Sequence, residues 1–141
     1  VKGESSKGFK NWGTFLNSYF MFLQLNHKNL EAYKMARVLI KECYKITAKL
    51  PTEERFSLVP QIRRAAISVK LNIAEGSSRK SLVERNRFYE ISRGSAVEID
   101  SAFETVLDLE YLKEADFTDA AKALNSSFAL ITKLIGQKGE G

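Results

Sequence analysis

Ser57-Leu58-Val59-Pro60-Gln61-Ile62-Arg63-Arg64-Ala65-Ala66-Ile67-Ser68-Val69-Lys70-Leu71-Asn72-Ile73-Ala74-Glu75-Gly76 is the stretch on which the fold turns. Leu58, Ile62, Ala65, Ala66, Val69 and Ile73 recur at three- and four-residue intervals, which lines one face of an α-helix and no face of a strand. Ser57 is a good N-cap, and Pro60 falls in the first turn, where its missing N–H breaks no hydrogen bond. Gly76 suits the left-handed residue that ends many helices. Beside the apolar face runs a polar line, Arg64, Ser68, Asn72 and Glu75. Polar groups so close to a core stripe must pair with one another or with another chain.

The same periodicity extends in both directions. Upstream, Asn29 caps a helix to about Lys49, stopped by Pro51, with Tyr33, Ala36, Ile40, Cys43, Thr47 and Leu50 on one stripe that Met35 and Leu39 widen. Downstream, Ser81-Leu82-Val83-Glu84 fits a capping box and opens a helix with the stripe Phe88, Ile91, Ser95, Glu98, Ala102, Val106 and Leu109. Gly94 lies inside that helix, at a cost of about 1 kcal/mol against alanine, so close backbone packing is expected there. A last helix starts at Asp116 and carries Phe117, Ala121, Leu124, Phe128, Ile131 and Ile135, ending at Gly136. Helices at 29–49, 57–76, 81–112 and 116–136, joined by short connections, predict an all-α fold: an antiparallel up-down-up-down four-helix bundle spanning 30–137. Within it, Arg64, Ser68, Asn72, Glu75, Ser95 and Glu98 form an expected structural polar network, with a buried Glu98 paired to Arg64.

Composition narrows the chemistry. The 141 residues suffice for one core, with 44% hydrophobic and 28% charged residues. The single Cys43 rules out an internal disulfide framework and suits a reducing compartment. His27 is the only histidine, so a site built from two imidazoles is excluded, as are Glu-x-x-His di-iron helices. The recurring Asp100, Glu104 and Asp108 read as an exposed acidic face rather than a cation ladder, and Gly76-Ser77-Ser78-Arg79-Lys80 lacks the strand of a phosphate loop. No catalytic residue, cofactor or metal site is expected, and the chain reads as non-enzymatic. Charge is polarised: nine Lys and Arg face three Glu between Arg55 and Arg93, whereas Lys113 alone faces eight acids between Glu98 and Asp119.

Residues 1–29 read as an N-terminal extension outside the core, with Met21 as an alternative start. Its aromatic run from Trp12 to Leu25 is interrupted by Asn17, Ser18 and Gln24 and falls short of the ~20 apolar residues of a membrane helix.

The strings Gln61-Ile62-Arg63-Arg64-Ala65-Ala66-Ile67-Ser68-Val69 and Asn72-Ile73-Ala74-Glu75-Gly76, then Phe88, Arg93-Gly94-Ser95 and Glu98, carry a family resemblance. With the Leu50-Pro51 break before Glu54-Arg55-Phe56, they resemble the four helix bundle protein family, also called 23S ribosomal RNA intervening-sequence proteins, over roughly residues 30 to 135. Lys70 stands where the family usually has proline. The resemblance implies a cytoplasmic bacterial protein that assembles into a fivefold ring. It also implies distant similarity to the accessory variability determinant of diversity-generating retroelements, a basic barrel that binds RNA and a reverse transcriptase. The expected function is therefore a homo-oligomeric accessory protein binding RNA or DNA through bases off the core stripes: Arg63, Lys70, Arg79, Lys80, Arg85 and Arg87. The alternative is a protein-interaction scaffold in which a basic helix two meets the acidic helix three of the next subunit.

Overall fold

The computed structural model describes residues 21–137. A 3₁₀ turn at Asn26–Asn29 leads into α1 (Glu31–Ala48), followed by α2 (Leu58–Ser77), α3 (Leu82–Asp108) and α4 (Thr118–Gly136). Further 3₁₀ turns at Thr52–Glu54 and Glu114–Phe117 sit in the first and third connections. Among the described residues there is no strand. Helices α1 and α3 each pack against α2 and α4, so chain neighbours are spatial neighbours around a square and the bundle is up-down-up-down. The α2–α3 pairing is the most extensive of the four.

The faces of α1 and α2 match their periodicity. Ala32, Tyr33, Ala36, Leu39, Cys43, Ile46 and Thr47 of α1 are buried, as are Ile62, Ala65, Ala66, Val69, Ile73 and Gly76 of α2. The face of α3 matches only in part: Ser95, Ala102 and Val106 are buried, but Phe88, Ile91, Glu98 and Leu109 are not. Its buried stripe is Tyr89, Ser92, Ala96, Ile99, Phe103 and Val106, also spaced three and four, with Ser95 and Ala102 beside it. Two registers about one residue apart compete on this helix. The one adopted withdraws Ile99, Phe103 and Tyr89 from water while leaving the Glu98 carboxylate solvated, whereas the expected register would bury that charge. Ser92, fully buried, satisfies its hydroxyl by donating to the Val69 carbonyl oxygen at 2.7 Å.

Helix ends depart from the expected caps for local reasons. Leu30, not Asn29, is the N-cap of α1 and provides no side-chain bond. Ser57 occupies the cap of α2, but the Leu58 N–H donates to Glu54 Oε1 at 3.3 Å instead. Ser81 accepts from the Glu84 N–H at 3.1 Å as the capping box requires, while the Glu84 carboxylate lies 3.8 Å from Arg87. Helix α3 stops at Asp108 rather than 112. Glu110 is left-handed (φ 58°), its N–H donates to Leu107 O at 2.9 Å, and the Tyr111 N–H donates to Val106 O at 3.1 Å. That pair of bonds is a Schellman stop built on a residue that is not glycine.

The two glycines of interest exchange roles. Gly76 does not end α2 but lies inside it, buried, where an added Cβ would sit 2.8 Å and 2.9 Å from two carbons of the Tyr89 ring. The close helix–helix approach expected at Gly94 occurs here instead. Gly94 is exposed, with nothing within 4 Å of an added Cβ.

Candidate nucleic-acid interface

The bases expected to contact nucleic acid fall into two groups. Arg63 and Lys70 project from α2 towards α1. The Arg63 guanidinium stacks 4.3 Å from the Tyr44 ring centroid, and its Nε donates to Thr47 Oγ1 at 2.7 Å. The Lys70 ammonium lies 5.7 Å from the Tyr33 ring. In each case the cationic head is held over an aromatic face. Arg79, Lys80, Arg85 and Arg87 gather at the corner where α2 passes into α3. Arg79 and Arg87 flank Phe88 at 5.0 Å and 5.5 Å, Arg79 pairs with Glu75, and Arg85 Nε donates to the Arg79 carbonyl oxygen at 2.8 Å. Lys80 is exposed.

His27 and Lys28, which sequence reasoning passed over, join the groups. The His27 ring meets Tyr33 edge-on, with centroids 4.7 Å apart. Burial, then the charges of Lys28 and Lys70, hold the His27 imidazole below its ordinary pKa of 6.5. His27 in turn shares a cleft of about 640 Å³ with Ser77, Arg85, Asn86 and Tyr89, at the end of the bundle. These contacts link Lys70 through Tyr33 to His27, and His27 through the cleft to Arg85 and Arg79, with Arg63 held beside α1 by Tyr44 on the same helix as Lys70. The missed signal was the aromatic interleaving: Tyr33, Tyr44 and Phe88 each carry a cation from another position in the chain.

Only half of the expected polar network forms. Ser68 and Ser95 share a hydrogen bond of 2.8 Å, and Asn72 Nδ2 donates to Ser68 Oγ at 3.0 Å and to its carbonyl oxygen at 2.9 Å. The expected Arg64–Glu98 pair is absent. Glu98 is exposed and accepts from Gln61 Nε2, Arg64 is exposed with no ion pair among the described residues, and Glu75 turns outward to Arg79. With α3 rotated to bury Ile99, Glu98 points to water and needs no cationic partner.

Among the described residues no group of three or more His, Cys, Asp or Glu is placed to hold a metal ion. Cys43 is fully buried and its thiol is pushed up to about 12, first by loss of hydration and then by Glu42, so it is a core residue without thiolate character at neutral pH. No described helix is long and apolar enough to cross a membrane.

Fold and site define a small four-helix bundle with cations held on aromatic faces. Residues 28–133 match the family model described as 23S rRNA-intervening sequence protein. The chain belongs to that family. Its fold is similar to the crystal structure of a protein of unknown function from the S23 ribosomal protein family of Bacteroides thetaiotaomicron VPI-5482 (TM-score 0.68, 18% identity, covering 75% of this chain and 99% of that one). No curated protein matches the chain.

Proposed function

We propose that the protein is a non-catalytic accessory factor of the bacterial cytoplasm that binds the sugar–phosphate backbone of RNA and assembles with copies of itself. The observation that carries the reading is the set of bases Arg63, Lys70 and Arg79, whose cations are held on Tyr44, Tyr33 and Phe88. Phosphates recruit such charges without base readout. Each phosphate neutralised adds about 0.7–0.9 to the slope of log affinity against log salt, so four or five contacts give a slope near −3 to −4. The test is fluorescence anisotropy with single-stranded RNA across a salt series, on the wild type and on Arg79→Glu/Lys80→Glu. A steep slope and at least a tenfold loss in the variant, with helical circular dichroism unchanged, are expected. Salt-independent binding, or equal affinity of the variant, refutes the reading.

The second reading, assembly as a scaffold, is favoured by Ile67, Leu71 and Ile91. They are 37%, 56% and 43% exposed on the outward side of the α2–α3 pair. Light scattering is expected to give a closed homo-oligomer, five subunits being the ring implied by the family resemblance, and Leu71→Asp/Ile91→Asp is expected to reduce it to monomers. A wild-type monomer at every concentration refutes assembly. An oligomer that ignores RNA leaves the scaffold role alone.

A further inference from the structure

The α3–α4 side of the bundle has the opposite character to that of the basic groups. A groove lies between these helices, in two portions of about 250 and 320 Å³ that share Asp100, Leu124 and Asn125. Along α3 it runs from Ala96 to Leu107, which at 1.5 Å per residue is about 16 Å, three helical turns. Its apolar lining includes Phe103, Phe117, Leu124 and Phe128, with Val97 at one edge, 52% exposed. The groove stays open because α4 turns Ala120, Ala123 and Ser127 into the core, leaving Ala121 and Phe128 half-buried at the margin.

The charged residues of this lining are Asp100, Glu104 and Glu114, with no Lys or Arg in either portion. Of the other acids, Glu31, Glu42, Glu75, Glu84 and Asp116 each have a Lys or Arg within 4.0 Å, whereas Glu90, Glu98, Asp108 and Asp119, like the groove acids, have none among the described residues. The three groove acids have no ion pair among the described residues, although the chain as a whole carries a net charge of +5. Cations are thus abundant in this protein but none belongs to the lining of this groove, although Arg93 reaches one end of it, its guanidinium 4.4 Å from the Phe128 ring centroid. We infer that this groove docks a basic amphipathic helix from a second protein. Apolar residues at i, i+3 or i+4, and i+7 seat on Val97, Leu124 and Phe103, and flanking Lys or Arg side chains meet Asp100, Glu104 and Glu114. A second copy of this chain suits the groove less well. Beside the exposed Ile67 and Leu71 of α2, Arg63 and Lys70 are held on Tyr44, Thr47 and Tyr33, which leaves Arg64 as the unengaged cation there among the described residues.

The probe is a fluorescein-labelled synthetic 15-residue peptide of leucine and lysine with leucines at helical spacing, measured by anisotropy against its sequence-scrambled isomer at physiological salt. The patterned peptide is expected to bind at least tenfold more tightly than the isomer. Asp100→Lys/Glu104→Lys is expected to lose at least tenfold of that affinity, whereas Arg79→Glu/Lys80→Glu is expected to lose none. Asp100 and Glu104 are exposed, so the reversal leaves the core intact, and Glu114→Lys from the other wall provides an independent variant. Equal binding of the two peptides, or undiminished binding to the charge-reversed variants, overturns the inference. A fall in subunit number on Asp100→Lys/Glu104→Lys overturns it in favour of a second copy as occupant.

Discussion

Replacing Gly76 by alanine tests the tightest contact between α2 and α3. The new methyl would lie 2.8 Å and 2.9 Å from Tyr89 Cε1 and Cδ1 and 3.1 Å from the Arg85 carbonyl oxygen, against the 3.5–4.0 Å of an ordinary carbon contact. The ring cannot swing aside freely, because Tyr89 is buried and its hydroxyl shares a 3.1 Å hydrogen bond with Ser77. The third neighbour is backbone. Overpacking of this kind costs about 2–3 kcal/mol, and the helix propensity gained from glycine to alanine returns about 1 kcal/mol. The net expectation is a loss of about 1–2 kcal/mol, or roughly 4–10 °C in Tm by calorimetry. Gly94→Ala, on the exposed side of α3, meets no neighbour and is expected to gain about 0.5–1 kcal/mol. In a Tyr89→Ala background the ring clash is gone and only the Arg85 carbonyl oxygen at 3.1 Å remains, so Gly76→Ala should cost clearly less than in the wild type, and the double-mutant cycle should show strong coupling. A stabilised Gly76→Ala in the wild-type background would refute the contact and the helix approach it defines.

Glu110→Gly removes a left-handed non-glycine residue from the stop of α3 and is expected to raise stability by about 0.5–1 kcal/mol in urea unfolding; a loss would show that the Schellman stop is not kept. Arg64→Ala and Glu98→Ala are each expected to change stability by less than about 0.5 kcal/mol and to add without coupling, since both side chains are exposed and unpaired with each other; a coupling above 1 kcal/mol would restore the ion pair. The folded pKa of His27 lies below its unfolded value, so the stability it contributes is fully present above pH 6.5 and is lost as pH falls through the folded pKa. As the only histidine it gives one unambiguous imidazole signal in proton NMR. That signal should titrate below 6.5, move upward in Lys70→Gln, and move upward again when RNA phosphates offset Lys28 and Lys70; a folded value at or above 6.5 refutes the partly buried setting of the ring beside these cations.

The bundle was legible because Ile62, Ala65, Ala66, Val69 and Ile73 admit one helical face, and burying it requires partner helices whichever way they are arranged. The same periodicity was ambiguous on α3, where Phe88–Ile91–Ser95–Glu98 and Tyr89–Ser92–Ala96–Ile99 both run at three and four. Only packing against α2 and α4 chose between them, by comparing Ile99 in the core with a desolvated Glu98. That rotation dissolved the expected Arg64–Glu98 pair while leaving the Ser68–Ser95 bond in place. The candidate bases were legible as charges off the core stripes. Their arrangement was not, because a cation–π pair such as Arg63 on Tyr44 or Lys70 on Tyr33 joins residues far apart in the chain.

The order of residues by itself determined four amphipathic helices, their short connections, the absence of a two-imidazole site, and a basic half followed by an acidic one. These properties are local: hydrophobic spacing, proline position and charge depend on neighbours in the chain. Tertiary structure decided the rotation of α3, the exchange of roles between Gly76 and Gly94, the meeting of Lys70, His27 and Arg85 around Tyr33 and the end cleft, and the acidic groove beside Phe128. Each of these depends on which side chains from separate helices compete for one volume, and close packing resolves that competition for the bundle as a whole rather than helix by helix.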